Sequence, residues 1–354
     1  MAPLSKCPVC TADLTDSNLV QMSPGSDVDL GPAPEDARAL SEWRRNDPRP
    51  HCPQKHPLPT DALSRDSLVV SFAGATFGGK STMVRQIGHE LARAALARLG
   101  VSAHLSTMSV DKWNDSLGEV IAATSAARRD DPRLDYAFEL TDRSGGSPRT
   151  TNLLIFDCAG EDRTRDEGDT LRSRTPFLPL SDVVVFVLPP SGLQDLPDEL
   201  RGGGRPDLVA TEGWFREVTE WVRHESSAEH RREMVVVVAL SKADRYLAHA
   251  THQLPRPLLD RRHLERPDAP LAATMRAEQA QLFEFVERAG GRALLDLAAS
   301  INGTVFLTAV SGLEKDDLTG VLAPGMGTNR ALDPIVIALM RRGIGSFGTT
   351  GSTR

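Results

Sequence analysis

The segment GATFGGKS at residues 74–81 constrains this chain more than any other part of its sequence. It matches the phosphate-binding pattern G-x-x-x-x-G-K-[ST], between a strand predicted at residues 67–73 and a helix predicted at residues 80–99. Glycines let successive backbone N–H groups converge on phosphate oxygens, and the positive end of the following helix adds to that attraction. The alternative is a glycine-rich turn that binds nothing.

The side chains of this segment have separate predicted roles. Lys80 reaches the β- and γ-phosphates of a nucleoside triphosphate and is a predicted catalytic residue, while the Ser81 hydroxyl can ligate Mg²⁺. The predicted nucleotide-binding residues of this segment are Gly74, Gly78, Gly79, Lys80, Ser81 and Thr82.

A second segment, LLIFDCAG at residues 153–160, is a strand that ends in a carboxylate and is followed by a glycine. After a phosphate loop, Asp157 is expected to hold Mg²⁺ through its water shell, and the Gly160 N–H to bond the γ-phosphate. Cys158 is expected to be a small packing residue. Because apolar strands often end in aspartate, this assignment depends on the loop that precedes it.

Residues that follow or end two later strands are expected to select guanine over adenine. SKAD at residues 241–244 supplies Asp244, whose carboxylate can accept both the N1–H and the 2-amino group of guanine, whereas adenine offers no such pair of donors. Lys242 is expected to lay its aliphatic stem along the base. TAVS at residues 308–311 supplies the Ala309 N–H, which can donate to the guanine 6-oxo group. The alternative for residues 241–244 is a solvated turn.

In this order, the four segments resemble the Ras-like GTPases of the translation-factor-related (TRAFAC) class over residues 67–342. DCAGED at residues 157–162, the Ser-Lys-x-Asp variant and an N-terminal cysteine cluster are together similar to the bacterial double-GTPase family, type two. The resemblance implies a Mg²⁺-dependent enzyme that hydrolyses GTP to GDP as a conformational switch. It also implies a protein partner, such as a second GTPase, in a multi-component conflict or assembly system.

Two residues depart from the pattern of that class. Ser241 stands where asparagine is commonest, which is expected to weaken the hold on the phosphate loop. Glu161 stands where glutamine often orients the attacking water; a carboxylate there could orient water, act as a base or repel the γ-phosphate. Glu161 is the second predicted catalytic residue.

Two further groups that assist hydrolysis, a switch threonine and an arginine, each have two candidate residues. A switch threonine could be Thr107 or Thr124, although each also fits an ordinary polar loop. An arginine acting on the phosphates within the same chain could be Arg163 or Arg165, although a solvated charged loop fits both.

Cysteines are concentrated near the N-terminus and are spaced for a metal. CPVC at residues 7–10 and CPQKH at residues 52–56 are two half-sites, which together offer Cys7, Cys10, Cys52 and His56 as a tetrahedral zinc set. His51 could replace His56. The separation of the halves requires an intervening segment to loop out. A redox C-x-x-C is disfavoured because no strand precedes it, and the remaining alternative is a set of unstructured thiols.

Alternation of strand-length apolar runs with helical segments predicts an α/β fold, with a mixed, mostly parallel P-loop NTPase sheet flanked by helices. Three regions are expected: a zinc-binding appendage and linker at residues 1–66, a GTPase domain at 67–342 and a disordered tail at 343–354. A hairpin through residues 144–147 should make one strand antiparallel. Insertions at residues 189–207 and 245–270 are expected to be mobile. Strands are predicted at residues 67–73, 103–107, 136–140, 151–156, 183–188, 235–240 and 305–309, and helices at residues 35–45, 80–99, 214–222, 271–286, 294–301 and 333–342.

Bulk properties restrict the partners. A net charge of -7 gives no reason to expect nucleic acid binding. Residues 1–6 lack the start of a signal peptide, and no apolar run approaches the ~20 residues needed to span a bilayer, so a cytoplasmic protein is expected. Two other functions stay open, namely a GTP-dependent scaffold without hydrolysis, and an ATPase or small-molecule kinase.

Overall fold

A computed structural model describes residues 2–24, 26, 28–75, 78–109, 134–158, 175–201, 208–246, 254, 264, 271–311, 314–315, 322–323 and 330–347. The strands are β1 (Val20–Met22), β2 (Arg49–His51), β3 (Ser67–Ala73), β4 (Val101–Leu105), β5 (Leu134–Asp142), β6 (Arg149–Asp157), β7 (Val183–Leu188), β8 (Val235–Ser241), β9 (Phe306–Val310), β10 (Glu314–Lys315) and β11 (Leu322–Ala323). The helices are α1 (Ala37–Arg45), α2 (Lys80–Ala92), α3 (Asp198–Arg201), α4 (Leu208–Glu225), α5 (Ala228–Glu233), α6 (Leu271–Arg288), α7 (Arg292–Ala299) and α8 (Asp333–Arg342).

The central sheet has seven strands in the order β4-β5-β6-β3-β7-β8-β9. β3 pairs in parallel with β6 and β7, and β7, β8 and β9 continue in parallel. β5 is antiparallel to both β4 and β6, as the hairpin predicted. The α/β class and the mixed, mostly parallel sheet flanked by helices are therefore confirmed. β1–β2 and β10–β11 form separate antiparallel pairs.

Both faces of the sheet are covered, which explains why its parallel strands are apolar almost throughout. Along β3, Val70 and Phe72 belong to the core formed with α2 and α8, whereas Val69 belongs to the core formed with α4, α6 and α7. This second core also contains buried side chains of the N-terminal region, among them Cys7 and Leu58. Residues 1–66 thus share a core with the sheet instead of building one of their own.

The first long helix ends earlier than its sequence predicts. α2 stops at Ala92, Ala94 adopts a left-handed backbone with φ of 58°, and a 3₁₀ turn follows at Ala97–Leu99. The turn brings Leu96 and Leu99 into the core beneath β4, so tertiary burial outweighs the helical propensity of this alanine-rich stretch. β4 accordingly begins before the predicted strand and ends at Leu105.

Two segments expected to be mobile or disordered are packed where the structure describes them. Leu193, Leu196 and Leu200 of the 189–207 insertion are buried in the core around α4, because their apolar side chains find a face there. Of the predicted tail, Ile344 is buried, and the N–H of Ser346 donates to the Leu99 carbonyl at 2.8 Å. Most of residues 247–270 and all of 348–354 lie outside the described residues.

Among the described residues, no helix combines the length and the apolarity needed to cross a bilayer.

Candidate functional site

The carboxyl ends of the parallel strands bring the predicted site residues to one edge of the sheet. The 74–81 loop follows β3, Asp157 ends β6, Ser241 ends β8, and Ala309 lies near the end of β9. The strand registers place these ends side by side, since Phe72 pairs with Asp157. Crevices at the carboxyl edge of a mostly parallel sheet are where α/β proteins bind ligands.

The 74–81 loop depends on its glycines. A Cβ at Gly74 would lie 2.7 Å from the carbonyl oxygen of Val187, so no other residue fits where the loop passes β7. Gly79 has a left-handed backbone with φ of 89° and caps the start of α2. Thr76 and Phe77 lie outside the described residues. The loop therefore turns tightly from a buried strand into a helix N-terminus, whose N–H groups suit an anion.

Lys80 is buried inside this loop and is only 5% exposed. Its Nζ donates to the carbonyl oxygens of Gly74 at 2.6 Å and Ala75 at 3.0 Å. Burial of an ammonium group is costly unless it is paired, and here the loop's own carbonyls provide the partners. The cation is thereby held where an anionic ligand of the loop would meet it.

Ser81 and Asp157 meet beside the loop. Oγ of Ser81 donates to Oδ2 of Asp157 at 2.5 Å. The main-chain N–H of Asp157 in turn donates to Oδ2 of Asp135 at 2.8 Å. Hydroxyl and carboxylate oxygens are the ligands that Mg²⁺ prefers in proteins, so the donor set fits that cation.

Asp135 is a site residue that sequence reasoning missed. The register between β5 and β6 shifts between Leu134 and Tyr136, which leaves Asp135 in a bulge aimed at the end of β6. Bulges often re-aim a side chain next to a functional site. No local pattern reveals this, because an aspartate beside alternating apolar residues is typical of the solvated face of a strand.

Ser241 holds the 74–81 loop, although its replacement of asparagine predicted a weaker hold. Its Oγ donates to the carbonyl oxygen of Gly78 at 2.7 Å, and the side chain is buried. Lys242 follows with a left-handed φ of 54°, which turns the chain sharply out of β8. Asp244 lies in the 3₁₀ turn Ala243–Tyr246 that comes next.

We expect Ser241→Ala to weaken nucleotide binding about tenfold. The substitution leaves the buried Gly78 carbonyl without this donor, which costs on the order of 1–2 kcal/mol and loosens the loop. Titration with a fluorescent nucleotide measures the effect. Ser71→Ala is the matched control, because it also removes a buried hydroxyl bond, between Ser71 in β3 and Ser181 just before β7 at 2.6 Å, which does not involve the loop. Equal affinity losses in both variants would show that Ser241 contributes only general stability.

The other predicted site residues divide into two groups. Thr82 is half-buried in the first turn of α2, and Thr107 is exposed in a turn just after β4. The predicted residues that lie outside the described part of the chain are Thr124, Gly160, Glu161, Arg163 and Arg165.

The N-terminal half-sites converge into one cluster. The ligand atoms of Cys7, Cys10, Cys52 and His56 all lie within 4.8 Å of one another. Sγ of Cys52 is 3.6 Å from Sγ of Cys10 and 3.4 Å from Nδ1 of His56. Metal–sulfur bonds of about 2.3 Å and metal–nitrogen bonds of about 2.0 Å put tetrahedral ligands roughly 3.5–3.8 Å apart. The cluster could therefore bind a metal.

The structure selects between the two candidate histidines. His51 lies in β2, and its Nδ1 is 2.8 Å from the carbonyl oxygen of Arg49, outside the cluster. His56 is brought back to Cys52 by a tight turn, in which Cys52 N–H donates to the His56 carbonyl at 2.9 Å and Lys55 has φ of 64°. The segment between the half-sites loops out through α1 and returns when β2 pairs with β1.

Burial disfavours the thiolate form of two of the cysteines. Removal from water raises the pKa of the Cys7 thiol well above its ordinary value, and it raises the pKa of the Cys10 thiol as well. A bound divalent cation reverses this, because thiolate is the form that ligates metal.

The N-terminal module, residues 1–66, also contacts the carboxyl edge of the sheet. Nη1 of Arg49 in β2 donates to the carbonyl oxygen of Thr107 at 3.2 Å, just beyond the carboxyl end of β4. Cys7 and Cys52 belong to the same buried core as Ala75 of the 74–81 loop and Cys158. Cys158 is itself buried, which agrees with its predicted packing role.

Comparison with protein-family models finds no match, and a search of curated proteins finds no similar sequence.

Proposed function

We propose that this chain binds GTP with Mg²⁺ and hydrolyses it to GDP, acting as a conformational switch. The observation that carries the proposal is that a buried Lys80, bonded to the carbonyls of its own loop, directly precedes Ser81, which bonds Asp157 at the carboxyl edge of the sheet. Phosphoryl transfer needs chiefly positioning and charge stabilisation, which a lysine-bearing loop and a cation can supply.

The residues present suit distinct parts of the nucleotide. Ser81 and Asp157 would hold Mg²⁺, which would neutralise charge on the phosphates when bound. Lys80 would exchange its bonds to the loop carbonyls for bonds to phosphate oxygens. Glu161 and Gly160 are proposed to orient water and to bond the γ-phosphate, respectively, on the sequence argument alone.

Selectivity for guanine is supported by the adjacency of two strand ends. Leu240 of β8 pairs with Ala309 of β9, so the turn that carries Asp244 and the strand that carries Ala309 lie side by side. Asp244 is proposed to accept from the base, and the Ala309 N–H to donate to its 6-oxo group. An ATPase or kinase is disfavoured because adenine offers no pair of donors to such a carboxylate.

A GTP-dependent scaffold without hydrolysis is the second candidate, favoured by the departure at Glu161. Single-turnover hydrolysis of GTP separates it from the first. Slow hydrolysis by the isolated protein fits a switch whose partner, proposed to be a second GTPase or another protein of a bacterial system, completes the site. Zinc is the proposed metal of the cysteine cluster, because its donor set and spacing match a closed structural site.

The experiment that tests the proposed function is nucleotide binding by the Lys80→Ala variant. Removal of the buried ammonium should cost at least ~2 kcal/mol of affinity for GTP, which is about thirtyfold, without unfolding the protein. Displacement of a fluorescent nucleotide gives the affinity, and thermal denaturation monitors folding.

Lys6→Ala serves as the control for loss of a positive charge, since Lys6 is half-exposed and its ion pair with exposed Asp13 is long, at 4.0 Å. Its affinity for GTP should equal that of the wild type. Superimposable titrations of Lys80→Ala and wild type would remove the 74–81 loop from the site. A wild type that prefers ATP would replace the GTPase proposal with the ATPase alternative.

A further inference from the structure

A buried ionic cluster lies against β9, and the roles proposed above do not use its charges. Arg330 donates from Nη2 to Oε2 of Glu278 at 2.6 Å and from Nε to Oδ2 of Asp333 at 2.7 Å. Oγ1 of Thr308 donates to the same Asp333 oxygen at 3.1 Å. The side chains of Arg330, Glu278 and Asp333 are only 4%, 9% and 0% exposed.

Stability alone is a poor explanation for such a cluster. Desolvation of buried ion pairs costs about as much as their attraction returns, and well-packed apolar side chains often serve equally well. Burial on its own lowers the pKa of Arg330, but the carboxylates of Asp333 and Glu278 outweigh it and keep the guanidinium charged. What a charged, hydrogen-bonded cluster does supply is a fixed geometry, because its members fit together in few arrangements.

The geometry that this cluster fixes is the end of β9. Thr308 is tied to Asp333 at the start of α8, and the preceding residue, Leu307, is tied to α6. The Leu307 N–H donates to Oε1 of Gln279 at 2.5 Å, while Nε2 of Gln279 donates to the Leu307 carbonyl. Gln279 thereby satisfies the outer edge of the strand as a neighbouring strand would.

Ala309 is therefore held from two directions. β8 pairs with it on one side through Leu240. On the other side, the two residues before it are anchored to helices α6 and α8, through Gln279 and through the buried cluster. Neither anchor reaches the nucleotide edge itself, so any effect on a bound base has to pass through β9.

We propose that Arg330, Glu278 and Asp333 are positioning residues that hold Thr308, and with it the Ala309 N–H, in register for the 6-oxo group of guanine. The inference rests on the proposed function, since it gives this cluster a role in recognising the base. It predicts that weakening the cluster lowers the affinity that the protein gains from the 6-oxo group of guanine.

Three nucleotides separate that role from general stability. GTP carries a 6-oxo group, 6-thio-GTP carries a sulfur there that accepts hydrogen bonds poorly, and ITP keeps the 6-oxo group but lacks the 2-amino group. The ratio of GTP to 6-thio-GTP affinity reports on the Ala309 N–H, and the ratio of GTP to ITP affinity reports on Asp244. Affinities are measured by displacement of a fluorescent guanine nucleotide from the full chain.

Thr308→Val is the principal variant, because valine keeps the shape of threonine and removes only its bond to Asp333. We expect GTP affinity to fall about three- to tenfold, as for loss of one hydrogen bond. The preference for GTP over 6-thio-GTP should narrow by a similar factor, with the GTP to ITP ratio unchanged. Thr308→Ser should restore wild-type values. Arg330→Met should act in the same direction and more strongly.

Arg342→Met is the matched control for a buried ion pair. Arg342 ends α8 and donates to Asp182 at 3.0 Å, with side chains 11% and 14% exposed, at the opposite edge of the sheet. It should lower thermal stability and leave both affinity ratios alone.

Outcomes distinguish this inference from the proposed function. If the wild type separates the three nucleotides and Thr308→Val keeps both wild-type ratios, this inference alone is overturned, even if Arg330→Met fails to fold. A wild type that binds no guanine nucleotide overturns the proposed function and this inference together.

Discussion

Asp244→Asn should reverse the base preference of the protein, from GTP to xanthosine triphosphate. The proposed carboxylate accepts from the N1–H and the 2-amino group of guanine, and each charge-assisted bond contributes roughly 1.5–3 kcal/mol. The amide of asparagine places a donor against the 2-amino donor, so GTP affinity should fall by about two to four powers of ten. Xanthine carries a carbonyl at that position, to which the same amide can donate.

The measurement is a set of affinities for GTP, xanthosine triphosphate and ATP, on wild type and variant. ATP should bind poorly to both. Asp198→Asn controls for the change of charge, because the Asp198 side chain is 78% exposed and its ion pair is with Arg201 of the same short helix, α3. A variant that keeps its full preference for GTP would place Asp244 outside the base site, and the GTPase proposal would lose its basis for selectivity.

Strong local patterns are what the sequence makes predictable here. Apolar strands buried on both faces could be located from their runs of apolar residues. Asp333–Pro334 marked the start of a helix that ends at Arg342. The hairpin between β5 and β6 followed from its turn residues. The convergence of Asp157, Ser241 and the 74–81 loop then followed from parallel pairing, because carboxyl ends of parallel strands share an edge.

Details that depend on how distant segments pack against each other were not predictable. The hydrogen bond from Ser241 to Gly78 depends on how closely β8 approaches the loop. From sequence alone, serine in place of asparagine at position 241 predicted a weaker hold on the loop. The bulge that directs Asp135 toward Asp157 is a shift in the register between β5 and β6, and the alternation of apolar residues in the sequence does not predict it. The break after α2, at Ala94, likewise depends on the burial of Leu96 and Leu99 in the core. The alanine-rich sequence alone favours a longer helix.

Cysteine spacing predicted the candidate metal cluster only in part. It gave the ligand set, but two histidines satisfied it, and only the turn after Cys52 separates them. It also gave no indication that the module packs on the sheet. Because Cys7 and Cys52 lie in the same core as Ala75, the candidate metal site and the proposed phosphate loop are parts of one folded unit. Loss of the metal should therefore be felt beyond residues 1–66.

Purified protein should carry about one zinc per chain, and Cys7→Ser with Cys10→Ser should carry none. Ligands that bind only the folded state stabilise it, by about 4 kcal/mol when free zinc is a thousand times its Kd. The double variant should lose stability on that order, because serine hydroxyls neither ligate zinc nor pack as thiols do. Metal analysis and urea denaturation measure the two effects.

Single substitutions make the test sharper, because the chain offers a matched control for each ligand type. His56→Ala should lose zinc, whereas His51→Ala should retain it, since Nδ1 of His51 lies against the Arg49 carbonyl and outside the cluster. Cys158→Ser changes an equally buried cysteine far from the cluster in sequence and should keep its zinc. If His51→Ala and His56→Ala lose zinc alike, the ligand set is wrong. If wild type prepared without chelator holds no zinc, the cluster is a packed set of thiols, and the module is held to the sheet by its apolar core alone.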